Sequence, residues 1–120
     1  MKTLLLLLTF ALPLLGATRL SLSDQTIEPK TKIELVFDKA MVAPEAVGEG
    51  LEKTVGNTLL TIKPAWKAKL VWRSQNIAKL VPQEAPKVGT QYQFSLAKAL
   101  KSLDGTIIPA QEFKAASSES

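Results

Sequence analysis

Apolar and polar side chains alternate along three segments of the chain. Successive side chains of a β-strand point to opposite faces, so a period of two predicts a strand with one buried face. Phe37, Trp72 and Tyr92 fall on the apolar faces of these segments, and we expect their rings to lie in one core. The three segments are Lys32–Asp38, Ala68–Arg73 and Thr90–Ala97.

Four further short runs, separated by proline, glycine and polar turn residues, predict strands of the same kind. About seven strands at spacings of roughly 8–12 residues are typical of a β-sandwich. We therefore predict an all-β chain that forms an immunoglobulin-like Greek-key β-sandwich. Lys98–Leu103 is expected to form at most one helical turn, and Val42–Gly50 a loop with room for one helical turn. The four runs are Ser21–Thr26, Thr58–Lys63, Ile77–Val81 and Gln111–Ala115.

The N-terminal residues have the three-part layout of a secretory signal peptide. Lys2 supplies a basic start, Leu4–Leu15 is almost wholly apolar, and Gly16 and Ala17 offer small residues to signal peptidase. A membrane anchor is the alternative, but this run of 12 residues falls short of the ~20 that a spanning helix needs. We expect cleavage after Ala17.

These boundaries predict three parts: a helical signal peptide over 1–17, a sandwich domain over 18–115 and a disordered tail over 116–120. The product would be secreted or periplasmic, with no membrane span after the signal peptide is removed.

The chain of 120 residues contains no histidine and no cysteine. This excludes a serine–histidine–aspartate triad, cysteine nucleophiles, disulfides and metal sites built on those two residue types. No serine lies beside a suitable base, and no glycine-rich phosphate loop is present. We therefore expect a protein that is not an enzyme and needs no cofactor.

The stretch between Glu52 and Glu84 contains several basic residues and no acidic residue. Its outward-facing basic side chains, beside an aromatic ring, could hold an anionic cell-envelope polymer or a protein partner; nucleic acid is not the expected partner. The alternative is a solvated strand face whose lysines oppose edge-to-edge aggregation. Trp66 is either an exposed contact or a lid on the core edge. The candidate contact residues are Lys63, Trp66, Lys67, Lys69 and Arg73.

Acidic side chains are grouped at Glu45, Glu49 and Glu52, and Asp104 lies in an Asp-Gly turn. Calcium loops alternate several oxygen ligands at closer spacing. We therefore predict solvated loop charges and no metal site.

The string Val36–Met41 resembles the opening of bacterial Ig-like domains of the S-layer type, in which a strand ends in a Phe-(Asp/Ser)-x-x-Met sequence. The order of the later motifs is similar to the same family, and most of all to the N-terminal Ig-like domain of bacterial alpha-2-macroglobulin-like proteins. The likeness covers roughly Thr26 to Phe113. The later motifs are Ile62-Lys63-Pro64, Trp72, Leu80-Val81-Pro82, Gly89-Thr90-Gln91-Tyr92 and Leu103-Asp104-Gly105.

The resemblance implies an Ig-like fold in which Tyr92 forms a tyrosine corner, with its hydroxyl bonded to upstream backbone. It does not extend to protease trapping, since a chain without cysteine cannot carry a thioester. We expect a non-catalytic secreted module that acts as a spacer or protein-interaction domain, as a detached domain of an alpha-2-macroglobulin-like protease inhibitor. The alternative is a binder of anionic cell-envelope polymer through the basic strand face.

Overall fold

The computed structural model describes residues 17–48 and 59–119. All but the last residue of the expected signal peptide lies outside the described residues, as do Glu49 and Glu52. The described residues form nine β-strands and a short 3-10 helix, Pro44–Ala46, which lies in the predicted loop. The strands are β1 (Thr18–Leu22), β2 (Ile33–Phe37), β3 (Leu60–Lys63), β4 (Ala68–Ser74), β5 (Ile77–Pro82), β6 (Gln91–Leu96), β7 (Leu100–Lys101), β8 (Ile107–Ile108) and β9 (Glu112–Ala116).

Seven of these strands form the two sheets of a sandwich. One sheet has the order β1-β2-β5-β4 and the other the order β3-β6-β9, and every strand pair is antiparallel. In the constant-type immunoglobulin fold, strands A, B, E and D form one sheet and strands C, F and G the other. The seven strands taken in chain order as A to G give the same arrangement. The predicted all-β, immunoglobulin-like Greek-key sandwich is therefore confirmed.

The core is built from the apolar faces that alternation predicts. Phe37 and Phe94 are 0% exposed, Tyr92 is 1% exposed and Trp72 is 5% exposed. The rings of Phe37 and Trp72 pack in a tilted arrangement with centroids 5.9 Å apart, and all four residues belong to one buried cluster. A tilted aromatic pair of this kind contributes about 0.5–1.5 kcal/mol beyond the burial of its area. The two sheets are thus held together across their inner faces.

Tyr92, at the start of β6, ties this core to the loop before it. Its hydroxyl accepts a hydrogen bond of 2.9 Å from the backbone N–H of Lys87. The intervening loop turns at Gly89, whose φ of 58° is a conformation that glycine adopts without steric cost. The bond runs from the F strand back to the E–F loop, as in a tyrosine corner.

The first strand differs in position from the expectation. β1 covers Thr18–Leu22 rather than Ser21–Thr26. Leu20 and Leu22 lie opposite Leu35 and Ile33 of β2, so the strand begins three residues before the expected one and shares only Ser21 and Leu22 with it. The polar residues that follow form a turn instead, because their side chains bond to one another.

That turn is organised by one threonine. The Thr31 hydroxyl donates to the Asp24 carboxylate at 2.7 Å and accepts from the Glu28 N–H at 2.7 Å. The Thr26 hydroxyl donates to the Glu28 carboxylate at 2.7 Å. Such local bonds hold the backbone away from an extended strand.

Lys98–Leu103 forms no helical turn. Leu100–Lys101 is instead strand β7, which pairs with β8 in a small hairpin inserted between β6 and β9. Ala99 has a φ of 63°, a left-handed conformation that is incompatible with a right-handed helical turn. The predicted Asp104-Gly105 turn closes this hairpin, with the Gly105 N–H donating to the Ser102 carbonyl at 3.0 Å.

The C-terminal residues expected to form a disordered tail are bonded to the domain. β9 extends to Ala116, whose carbonyl accepts from the Ile27 N–H at 2.8 Å. Ser117 is 5% exposed, and its hydroxyl accepts from the Thr90 N–H at 2.9 Å. The Ser118 N–H donates to the Ile27 carbonyl at 3.2 Å. The sandwich therefore continues through Ser118.

Candidate contact surface

Lys69 and Arg73 lie on the outer face of the four-stranded sheet. Along β4 the inward residues are half-buried or buried, whereas Lys69 and Arg73 are exposed. Lys69 lies opposite Val81 of β5, and a bulge follows Trp72. Alternation places both basic side chains on one surface, as the sequence predicts.

Lys67 extends this surface beyond the N-terminal end of β4. It directly precedes β4, is exposed, and its carbonyl accepts from the Gln83 N–H at 2.8 Å, which extends the ladder between β4 and β5. Its own N–H donates to the Glu84 carboxylate at 2.9 Å. Among the described residues, no carboxylate oxygen lies within 4.0 Å of the ammonium groups of Lys67 or Lys69. Both ammonium groups therefore face solvent without an acidic partner in that part of the chain.

Arg73 is partly neutralised by an acidic residue that lies two strands away. Its Nε lies 2.5 Å from one carboxylate oxygen of Glu34, and its Nη2 lies 3.3 Å from the other. Glu34 is on β2 beside Lys79 of β5, so the arginine side chain reaches across β5 to meet it. Such a two-point contact fixes the guanidinium geometry, although an exposed pair contributes less than about 1 kcal/mol.

The same surface carries two basic side chains that are not among the candidate contact residues. Arg19 on β1 lies opposite Val36, and Lys79 on β5 lies opposite both Glu34 and Val71. These positions follow from strand register. The linear sequence does not predict which residues lie opposite each other when their strands are far apart in the chain. Val71 points outward by alternation yet is only 4% exposed, so neighbouring groups cover it and it adds little apolar area to this surface.

Trp66 is a lid on the core and is not exposed. It is 6% exposed, and its ring packs on that of Tyr92 with centroids 5.1 Å apart. Its Nε1–H donates to the Glu84 carbonyl at 3.0 Å. Of the two alternatives that the sequence leaves open, the structure therefore selects the lid, and the ring cannot take part in a surface contact.

Lys63 lies on the other sheet. It is the last residue of β3, where Leu60 is buried and Lys63 is exposed, and it pairs with Gln93 of β6. On the far side of β6, Gln93 pairs with Lys114 of β9. The structure therefore does not bring Lys63 together with Lys69 and Arg73, and the candidate group is divided between two outer faces.

Asp104 is the most perturbed acidic group of the described residues. The hydroxyl of Ser102 donates to its carboxylate, as do the hydroxyl of Thr106 at 2.8 Å and the N–H of Thr106 at 3.1 Å. Lys39 adds an ion pair at 3.2 Å. These bonds, led by that of Ser102, hold the pKa of Asp104 far below its ordinary value. The carboxylate is thus engaged in closing its own turn.

Across residues 17–48 and 59–119, no group of three or more acidic side chains is placed to hold a metal ion. The same residues contain no helix that is long and apolar enough to span a membrane. Comparison of the chain with family models, with curated proteins and with solved structures gave no match.

Proposed function

We propose that this chain is a secreted, non-catalytic Ig-like module that acts as a spacer or protein-contact domain. The observation that supports it best is the constant-type strand order of its two sheets. A sandwich of this order uses its inner faces for packing and leaves its outer faces and end loops for partners. Because a fold alone does not define a function, the proposal also draws on the absence of histidine and cysteine from the whole sequence.

We further propose that the module is a detached relative of the first Ig-like domain of alpha-2-macroglobulin-like inhibitors. The residues that resemble that family have structural roles here: Phe37 and Trp72 pack in the core and Tyr92 anchors a loop. Gly89 and Gly105 supply the positive φ values of two turns. A gene for a large alpha-2-macroglobulin-like protein beside the gene for this chain would support the assignment.

Secretion and partner contact can be tested on the full chain. Expression in a Gram-negative host should give a shortened product in the periplasm, whereas a full-length product in the cytoplasm would contradict secretion. If the neighbouring gene encodes an inhibitor-like protein, the periplasmic product would then be mixed with that protein and analysed by size-exclusion chromatography. Co-elution that is weakened by Lys69→Glu but not by Lys114→Glu, an equal change on the other sheet, would locate the contact on the four-stranded sheet. Separate elution under all conditions would leave the spacer role.

A second candidate function is binding of an anionic cell-envelope polymer. It is favoured by one observation: the exposed ammonium groups of Lys67 and Lys69 lie on one surface without an acidic partner among the described residues. Basic groups arranged on one face attract polyanions in a salt-dependent way. Arg73 adds little to such a surface while Glu34 neutralises it.

The polymer hypothesis has a matched control in the chain. The double variant Lys67→Ser/Lys69→Ser changes the four-stranded sheet, and Lys63→Ser/Lys114→Ser removes the same charge from the three-stranded sheet. If the first surface binds polyanions, its variant should elute from a heparin column at a clearly lower salt concentration than the control variant. Equal elution of the two variants would show that only net charge matters and would exclude a defined site.

A further inference from the structure

Ala17 is held by Asp38 through both of its backbone polar groups. Its N–H donates to Asp38 Oδ1 at 3.0 Å, and its carbonyl accepts from the Asp38 N–H at 3.1 Å. The next residue, Thr18, pairs with Phe37, so the bond from the Asp38 N–H to the Ala17 carbonyl continues the backbone ladder between β1 and β2 by one residue, and the Asp38 side chain supplies the second bond. The folded domain therefore includes Ala17, which the sequence expectation assigns to the signal peptide.

Two small residues, Gly16 and Ala17, could each precede the cleaved bond. A cut after Ala17 would remove both bonds to Asp38. It would also make Thr18, whose backbone pairs with Phe37, the first residue, so the new α-ammonium group would lie one residue away from the position that faces the Asp38 carboxylate.

A cut after Gly16 has the opposite consequences. It keeps the bond from Asp38 to the Ala17 carbonyl, and it creates an α-ammonium group on a residue that is exposed. That nitrogen already lies 3.0 Å from a carboxylate oxygen of Asp38. A hydrogen bond between two charged groups is shorter and stronger than one between neutral groups, so the contact would gain from cleavage.

We propose that the secreted chain begins at Ala17, because signal peptidase cuts after Gly16, and that its new α-ammonium group forms an ion pair with Asp38. The inference depends on the proposed secretion. In the cleavage step the Gly16–Ala17 peptide bond is hydrolysed: the carbonyl carbon of Gly16 takes the oxygen of water and becomes a carboxylate. The Ala17 nitrogen becomes an amine that is protonated at neutral pH. The Asp38 carboxylate thereby binds the mature N-terminus.

The pH dependence of stability can test the ion pair, because few charged side chains line the hollow beside Ala17. The hollow beside Ala17 is lined by residues of β1 and β2, and within the described part of the chain its charged side chains are Arg19 and Asp38. A free α-amino group titrates near pH ~8, whereas arginine stays charged well above that value. Pairing with Asp38 favours the protonated amine in the folded state. Its contribution to stability is therefore complete below pH ~8 and is lost as the pH rises through the folded-state pKa.

The first test is the intact mass and N-terminal sequence of the periplasmic product. We expect Ala17 as the first residue. A processed chain that begins at Thr18, or at any other residue, would overturn this inference and leave the proposed secretion intact. A chain that keeps residues 1–16 would overturn both.

The second test compares Asp38→Asn with Glu112→Gln in the processed protein. Glu112 is an exposed carboxylate on β9, so its variant controls for the loss of one negative charge. Relative to the control, Asp38→Asn should lower the melting temperature by about 2–5 °C at pH 7 and by much less at pH 9.5, where the amine is neutral. A difference that is the same at both pH values would show that the charge of the α-amino group does not contribute to the contact, and would overturn the ion pair.

Discussion

Removing the Tyr92 hydroxyl is the sharpest test of how this sandwich anchors its loops. In Tyr92→Phe the ring still fills its place against Trp66 and Phe94, at centroid distances of 5.1 and 6.5 Å, so packing is preserved. The change removes one hydrogen bond, from the Lys87 N–H, at a side chain that is 1% exposed. A bond of this kind contributes about 1 kcal/mol net, and up to ~2 kcal/mol if the Lys87 donor stays unpaired.

Each 1 kcal/mol of this loss corresponds to a melting temperature lower by roughly 4–8 °C for a domain of about 100 residues. Thr18→Val is the matched control, because it removes another buried hydroxyl, one that has no hydrogen-bond partner. That variant should be neutral or slightly stabilising, since it relieves an unpaired polar atom and adds a residue with high β-propensity. Urea and thermal unfolding of both variants would give the two free energies. A loss below about 0.3 kcal/mol in Tyr92→Phe, or an equal loss in Thr18→Val, would refute the reasoning.

Three other predictions follow from particular contacts. In Trp72→Phe the remaining indole, Trp66, should show blue-shifted emission and weak acrylamide quenching, because it is 6% exposed; strong quenching would contradict its burial. Arg73→Ser should lower the free energy of unfolding by about 1 kcal/mol or less in a urea titration, because the Arg73 side chain of the ion pair with Glu34 is 53% exposed; a larger loss would mean that the pair holds the sheet together. The stability gap between the wild type and Asp104→Asn should be constant from neutral pH to about pH 5 and should narrow progressively as the pH falls below ~4 towards the folded-state pKa, because hydrogen bonds lower the pKa of that carboxyl in the folded state; a gap that does not narrow in acid would contradict the shift.

The fold was predictable where one face of a strand is buried and the other is exposed to solvent. Ile33, Leu35 and Phe37 are all less than 3% exposed, so the period of two reported their burial directly. The first strand was misplaced because the polarity of Ser23–Thr26 is compatible with an extended strand. In the structure, the Asp24 and Ser23 side chains instead close a turn by bonding to Thr31 and Lys32. Strand β7 was missed because two residues are too few to show any period, and its existence depends on a partner strand.

The contact surface was harder to predict than the fold, for a geometric reason. The described part of the acid-free window between Glu52 and Glu84 contains strands of both sheets, since β3 belongs to the three-stranded sheet and β4 and β5 to the four-stranded sheet. A chain that crosses between the layers of a sandwich sends its outward side chains to opposite sides of the molecule. Neighbours on one face, such as Glu34 and Lys79, come instead from strands that are far apart in sequence and are brought together by register. For a chain of this fold, the charge of the linear sequence therefore predicts only net attraction to a polyanion. Predicting a defined binding face also requires the strand order.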